Sequence, residues 1–246
     1  MSKPKVAFFD FASCEGCQLQ VVNLEEDLLK VLGAVDVVSF REAMKEHSDD
    51  YDIAFVEGSI TRRSDEARLK DIRKNAKILV ALGSCAALGG INCIKNFQEL
   101  ETVRKFVYGE NALSYETYPT RPLKAVVPVD YEIPGCPINR EEFAAVVKAL
   151  LMGKRPEIPN YPVCVECKMA GNRCVFELGM TCMGPVTRAG CGACCVTEGS
   201  VCWGCRGLVE NPNVDSHREI LSRHGLTVKD VLRNFRLYTG FSEVAK

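Results

Sequence analysis

The sequence is poor in the features that mark a membrane protein, a nucleic-acid binder or a zinc finger. No apolar run approaches the ~18 residues a membrane span needs, and "MSKPKVAFFDF" runs straight toward a strand without a secretory leader. Direct membrane insertion is therefore not expected. Lysine plus arginine (31) and aspartate plus glutamate (32) nearly cancel, so no charge excess argues for nucleic acid or an anionic membrane. Histidine is scarce: His47, His217 and His224 lie far from the cysteine clusters, which weakens a Cys/His zinc-finger reading. There is no internal repeat and no low-complexity tract. What the chain does have is cysteine, 14 of them in 246 residues. A chain without a leader is expected in the reducing cytoplasm, where disulfides are disfavoured and metal or redox chemistry is the default use of many thiols.

Residues 1–155 alternate strand and helix signals. Candidate strands are 5–12, 36–40, 52–57, 77–82 and 124–129. Candidate helices are 18–32, 64–75, 98–108 and 139–153. The apolar spacing of "LQVVNLEEDLLKVL" gives one buried stripe with a charged opposite face. Short apolar runs alternating with such helices predict an α/β domain, a parallel sheet covered on both faces. After "GKRPEIPNYP" the texture changes, and residues 156–246 read as a loop-rich second domain. Residues 161–207 hold nine of the fourteen cysteines and eight glycines with no long periodic run. Such a segment buries too little apolar surface to fold alone and is expected to rely on bound metal. Two helices, 214–224 and 227–237, are expected to close the chain, the second capped by Thr227 with Asp230 in its first turn.

In the first domain Cys14 and Cys17 follow the first candidate strand, Cys85 the fourth and Cys136 the fifth. If the strands are parallel, all four thiols gather at one carboxyl edge, where ligands of open α/β sheets bind. Gly16, Gly83 and Gly135 stand beside these thiols, and Pro134 and Pro137 flank Cys136. Glycine lets backbone come close and offers N–H groups to sulfur. The remaining cysteines run Cys164, Cys167, Cys174, Cys182, Cys191, Cys194, Cys195, Cys202 and Cys205. That spacing predicts two more four-ligand sites. Spacing alone does not separate iron–sulfur from zinc, nor Cys194 from Cys195 as a ligand.

The motifs "SCEGCQLQ", "VEGS", "GSCAALGG", "PGCP", "PVCVEC", "CMGPVTRAGC" and "CWGC" occur here in the order seen in small subunits of [NiFe] hydrogenases. Over nearly the whole chain, to about residue 210, the sequence resembles that family, and most of all its cytoplasmic multisubunit kind, the sulfhydrogenase and NAD(P)-linked enzymes. One departure is Ile138, where relatives usually carry a second proline. The resemblance implies a flavodoxin-like domain followed by a loop-rich iron–sulfur domain, with three [4Fe-4S] clusters. By residue it implies a proximal cluster on Cys14, Cys17, Cys85 and Cys136, and a distal cluster on Cys164, Cys167, Cys174 and Cys182. The medial cluster falls on Cys191, Cys195, Cys202 and Cys205, which leaves Cys93 and Cys194 as spare, structural thiols. Glu15, Gly16 and Glu57 are candidate contacts for a large subunit; Glu57 is alternatively a residue that structures the sheet edge near the proximal cluster, or an ordinary exposed carboxylate at a strand end. Arg188 is a candidate donor to nearby backbone.

The function so implied is electron relay between the nickel–iron site of a partner large subunit and a further redox subunit, of flavin/diaphorase or ferredoxin-like type. The paired R-x-C-x-x-C and D-P-C-x-x-C arrangement expected of the bimetallic site is absent from this chain, so it is read as an enzyme subunit without a catalytic centre of its own. Two alternatives stand beside this: a quinone-oxidoreductase-type subunit with one cluster, whose ligand motif carries adjacent cysteines that Cys14-x-x-Cys17 lacks, and a zinc-stabilised binding protein.

Overall fold

The computed structural model describes residues 3–242. Five strands, β1 (Lys5–Asp10), β2 (Asp36–Phe40), β3 (Ile53–Glu57), β4 (Ile78–Leu82) and β5 (Tyr131–Ile133), form one sheet in the order β2-β1-β3-β4-β5. Every neighbouring pair is parallel. This is the flavodoxin-like winding, with its switch point between β1 and β3. The helices are α1 (Gly16–Val22), α2 (Glu26–Ala34), α3 (Arg63–Asn75), α4 (Gly83–Leu88), α5 (Leu100–Tyr108) and α6 (Arg140–Leu151), then α7 (Val163–Met169), α8 (Cys194–Thr197), α9 (Val214–Arg223) and α10 (Val228–Thr239).

Strand side chains alternate between two cores. Val6, Phe8, Phe55, Val80 and Leu82 meet α1, α2 and α6 on one face, where Phe8 stacks on Phe40 at 4.3 Å and Phe55 meets Phe143 at 5.2 Å. Ala7, Ala54, Val56, Leu79 and Ala81 meet α3 and α4 on the other. β3 is buried at all five positions, as a central strand covered on both faces must be.

Two expected elements differ. The helix expected over 18–32 is broken between α1 and α2: Glu25 takes a positive φ of 55°, Leu24 turns into the core, and Arg140 donates to the carbonyl freed at Asn23 at 2.9 Å. The fifth strand is not 124–129 but Tyr131–Ile133. Leu123, in a short 3₁₀ turn, and Val127 just after it are buried against the sheet, and the chain pairs with β4 only from Tyr131 onward. Asp130 then sets the register, its carboxylate accepting from Leu79 N–H at 2.7 Å.

The cysteine-rich region shares its core with the two closing helices, beyond residues 161–207. Val163, Val175, Met183 and Val186 pack with the Cys182 and Cys202 side chains against Leu221 of α9 and Val231 and Phe235 of α10. Thr227 caps α10 as expected, in a reciprocal box with Asp230. α10 also packs toward the sheet-bearing part of the chain: Arg236 lies over the Phe97 ring at 4.2 Å. No helix among the described residues is long and apolar enough to cross a membrane.

Candidate metal centres

The first centre is built by the switch point. After β1 the chain bridges to β3 through Ala12 and Ser59, and Glu15 takes a left-handed turn (φ 62°) into α1. Cys14 is left exposed on the turn and Cys17 is buried one turn on. Glu57, at the end of β3, is 2% exposed and accepts from Cys17 N–H at 3.1 Å and Gln18 N–H at 2.9 Å. A carboxylate thus occupies the helix N-terminus, where unpaired donors and the dipole favour it. Burial nevertheless pushes the Glu57 carboxyl above its ordinary value. Glu57 is therefore neither an exposed strand end nor, in this chain, a surface contact: its oxygens are turned inward to hold α1. Glu15 and Gly16 are half-buried. The Glu15 carboxylate accepts from Ser13 at 3.0 Å and Gln18 at 2.7 Å, and burial raises its pKa.

Cys85, on α4 after β4, and Cys136, after β5, face the same edge. The Cys85 thiol is pushed up to about 12 by burial first, and then by Cys136 and Cys14. Cys17 is raised by burial, with Glu57 and Cys85 adding to it and the Ile138 backbone offsetting part of the rise. Glycine makes room for these sulfurs: Gly83 (φ +84°) has space for no Cβ beside Cys17 Sγ, and a Cβ on Gly16 would stand 3.3 Å from Cys14 Sγ.

A second group lies on and after α7. A Cβ on Gly184 would stand 3.4 Å from both Cys164 Sγ and Cys182 Sγ. Cys164 is pushed up to about 11 by burial and by Cys182, Cys167 and Cys174 in turn. Cys182 Sγ accepts from Gly184 N–H at 3.4 Å and Cys202 N–H at 3.3 Å.

The third group surrounds a cavity of about 420 Å³ lined by Cys136, Cys191, Cys194, Cys195, Cys202, Cys205, Trp203 and Tyr238. Cys205 is pushed up to about 12, chiefly by burial, with Cys191, Cys136 and Cys195 contributing. Cys202 is raised by burial, with the Gly204 backbone and the Thr187 side chain offsetting part of the rise; the Thr187 hydroxyl itself donates to the Met183 carbonyl at 2.7 Å. The first and third groups adjoin: Cys136 and Tyr238 line the same cavity as Cys205, the Tyr238 hydroxyl lowers the Cys136 pKa, and the Cys136 backbone lowers that of Cys205. The spare Cys93 is fully buried, 3.8 Å from the Thr120 carbonyl, as a structural thiol would be.

The donor set suits iron–sulfur ligation: neighbouring thiols that range from buried to exposed, N–H groups aimed at the Cys182 sulfur, and glycines where a Cβ would intrude. Among the described residues no three Cys, His, Asp or Glu side chains close tightly around one point, as a single metal ion requires.

Two participants carry no signal in the sequence pattern. Arg206 is buried and hydrogen-bonds the backbone at Pro134 and Ala189, whereas Arg188 donates its own N–H to Gly207 O at 2.9 Å. Tyr238 reaches the first centre from the last helix. Neither belongs to a local motif; the one hint for Arg206 is its place directly after Cys205.

Residues 14–150 match the family described as NADH ubiquinone oxidoreductase, 20 Kd subunit. The sulfhydrogenase 2 subunit delta of Pyrococcus furiosus is 34% identical, over 95% of this chain and 98% of that one. A subunit of the F420-non-reducing hydrogenase (vhu) of Methanocaldococcus jannaschii is 35% identical over 84% of this chain and 82% of that one. Among solved structures, a chain of an NAD+-reducing [NiFe]-hydrogenase in the H2-reduced state superposes with a TM-score of 0.60 at 26% identity, covering 64% of this chain and 96% of that chain. The parallel sheet with thiols along its carboxyl edge thus defines an α/β oxidoreductase subunit. More narrowly, the chain belongs to the 20 Kd-subunit family, among the small subunits of [NiFe] hydrogenases.

Proposed function

We propose that this chain relays electrons through three [4Fe-4S] clusters, between the nickel–iron site of a hydrogenase large subunit and a further redox subunit of flavin/diaphorase or ferredoxin-like type. The observation that supports the reading is that thiols neighbour one another in three places: Cys14, Cys17, Cys85 and Cys136 at the carboxyl edge of the sheet, Cys164 with Cys167, Cys174 and Cys182, and Cys205 with Cys191, Cys195 and Cys202. Each bound cluster would supply one-electron chemistry at a potential set by hydrogen bonds to sulfur and by burial. Cys14, Cys17, Cys85 and Cys136 would hold the proximal cluster. Cys191, Cys195, Cys202 and Cys205 would hold the medial one, and Cys164, Cys167, Cys174 and Cys182 the distal one. Cys195 is preferred to Cys194 on the resemblance, which places the fourth medial ligand seven residues before Cys202; both thiols line the cavity.

The residues around the thiols have definite tasks in this scheme. Glu57 orients α1 and with it Cys17. Gly184 and Cys202 aim N–H groups at the Cys182 sulfur, and the Tyr238 hydroxyl favours the Cys136 thiolate. The exposed Cys14 and Cys136, with Glu15 and Gly16 beside them, form the face on which the large subunit would dock. Residues 1–155 and 156–246 would be the two domains, joined through α10. The reduced thiols that such clusters require fit a cytoplasmic location.

The test is metal analysis of anaerobically purified protein. The expected result is a brown protein with about four irons and four sulfides per site, about twelve of each per chain. Colourless protein with about one zinc per four-cysteine site would sink the reading.

A further inference from the structure

Arg206 is the largest of the fully buried side chains, with 1% of its side chain exposed. Its Nε donates to the Ala189 carbonyl at 2.6 Å. Nη1 donates to the Pro134 carbonyl at 2.6 Å and to Glu142 Oε2 at 2.9 Å, and Nη2 to Glu142 Oε1 at 2.7 Å. Arg206 itself follows Cys205. Ala189 lies two residues before Cys191, and Pro134 two before Cys136. One guanidinium therefore ties the loop of the first centre to both loops of the third.

The surroundings are shaped around it. At Gly190 (φ +112°) a Cβ would overlap the guanidinium and stand 2.7 Å from Glu142 Oε1. The Gly190 N–H donates at 2.8 Å to Glu166, which sits between Cys164 and Cys167 of the second centre. All three cysteine groups thus connect through one hydrogen-bonded network. A buried ion pair is weak evidence for stability, because desolvation offsets the attraction and apolar replacements often do as well. What a planar fork with a bidentate carboxylate supplies, and an apolar contact does not, is direction.

We propose that the Arg206–Glu142 pair is the positioning element that fixes the gap between the first and third metal centres, with the Glu166–Gly190 bond extending it to the second. The inference rests on the relay function above. Tunnelling between centres falls steeply with distance, so a fixed gap has a direct consequence for such a chain.

The test uses the intact hydrogenase complex carrying wild-type subunit, Arg206→Lys, Arg206→Met or Glu142→Gln. Iron and sulfide are counted, and EPR of the reduced complex reads the spin–spin splitting between the first and third centres. Lys and Gln variants are expected to keep their iron but to lose or alter the wild-type splitting. The Met variant is expected to lose iron from the first and third centres before the second. Full iron with wild-type splitting in both the Lys and Gln variants overturns the inference. So does equal iron loss from all three centres in every variant, the signature of a pair that serves stability alone. A wild-type complex without two interacting four-iron centres refutes the relay reading and the inference together, whereas a wild-type splitting that survives in the variants refutes the inference alone.

Discussion

His217 offers a prediction whose size follows from the structure. It lies on α9, 2% exposed, with its ring edge-on to Phe235 at 6.0 Å and Phe176 at 6.5 Å. Among the described residues neither ring nitrogen has a hydrogen-bond partner, and burial alone lowers its pKa from 6.5 to about 4. Between those values the unfolded chain binds a proton that the folded chain refuses. Stability from this group is therefore complete above about pH 6.5 and is lost as pH falls toward 4. The whole effect is about 3 kcal/mol, and the part falling between pH 7.5 and 5.5 is about 1.3 kcal/mol. His217→Leu removes it. Urea midpoints of anaerobically prepared wild type and variant, followed by far-UV circular dichroism, isolate the difference because the other titrating groups are common to both. With a slope of ~2–3 kcal/mol/M, the wild type should lose roughly 0.5 M more than the variant between the two pH values. At pH 7.5 the variant should be no less stable, since it also removes an unpartnered buried N–H, a cost of about 1–3 kcal/mol. Equal pH-dependent losses in the two proteins would refute the reasoning.

Glu57→Ala strips two buried N–H groups of a charged acceptor; at ~1.5–3 kcal/mol each, the loss should be about 3 kcal/mol or more. It should appear as a lower unfolding midpoint with iron leaving the first centre earliest, and full iron at the wild-type midpoint would contradict the role given to Glu57. Tyr238→Phe keeps the ring and removes the hydroxyl from Cys136 sulfur. Iron content should hold while the reduction potential of the first centre falls, because hydrogen bonds to sulfur favour the reduced state; an unmoved potential in an EPR redox titration counts against the bond. Cys195→Pro should turn the third centre alone into a three-iron form, seen by EPR of the oxidised protein, and Cys194→Ser should leave the cluster count unchanged. The reverse pattern would make Cys194 the ligand.

The gathering of Cys14, Cys17, Cys85 and Cys136 at one sheet edge was legible because these thiols obey a local rule. Each thiol follows the carboxyl end of a strand, and once the strands are parallel every such end faces the same way. The rule even survived an error: the fifth strand proved to be 131–133 rather than 124–129, yet Cys136 still follows it at the same edge. The break after α1 was not legible, because what stabilises it is Arg140, remote in sequence from the Asn23 carbonyl it binds. Arg206 and Tyr238 were missed for the same reason. A lone arginine after a C-x-x-C reads as solvated, and only the fold brings Glu142 and Pro134, 64 and 72 residues away, to within hydrogen-bonding distance of it. Motif and period report what a segment does with its neighbours in sequence, and they therefore find ligands centre by centre. The contacts that set one centre against another join segments that share no motif, so the geometry a relay depends on lies in residues that the cysteine spacing passes over.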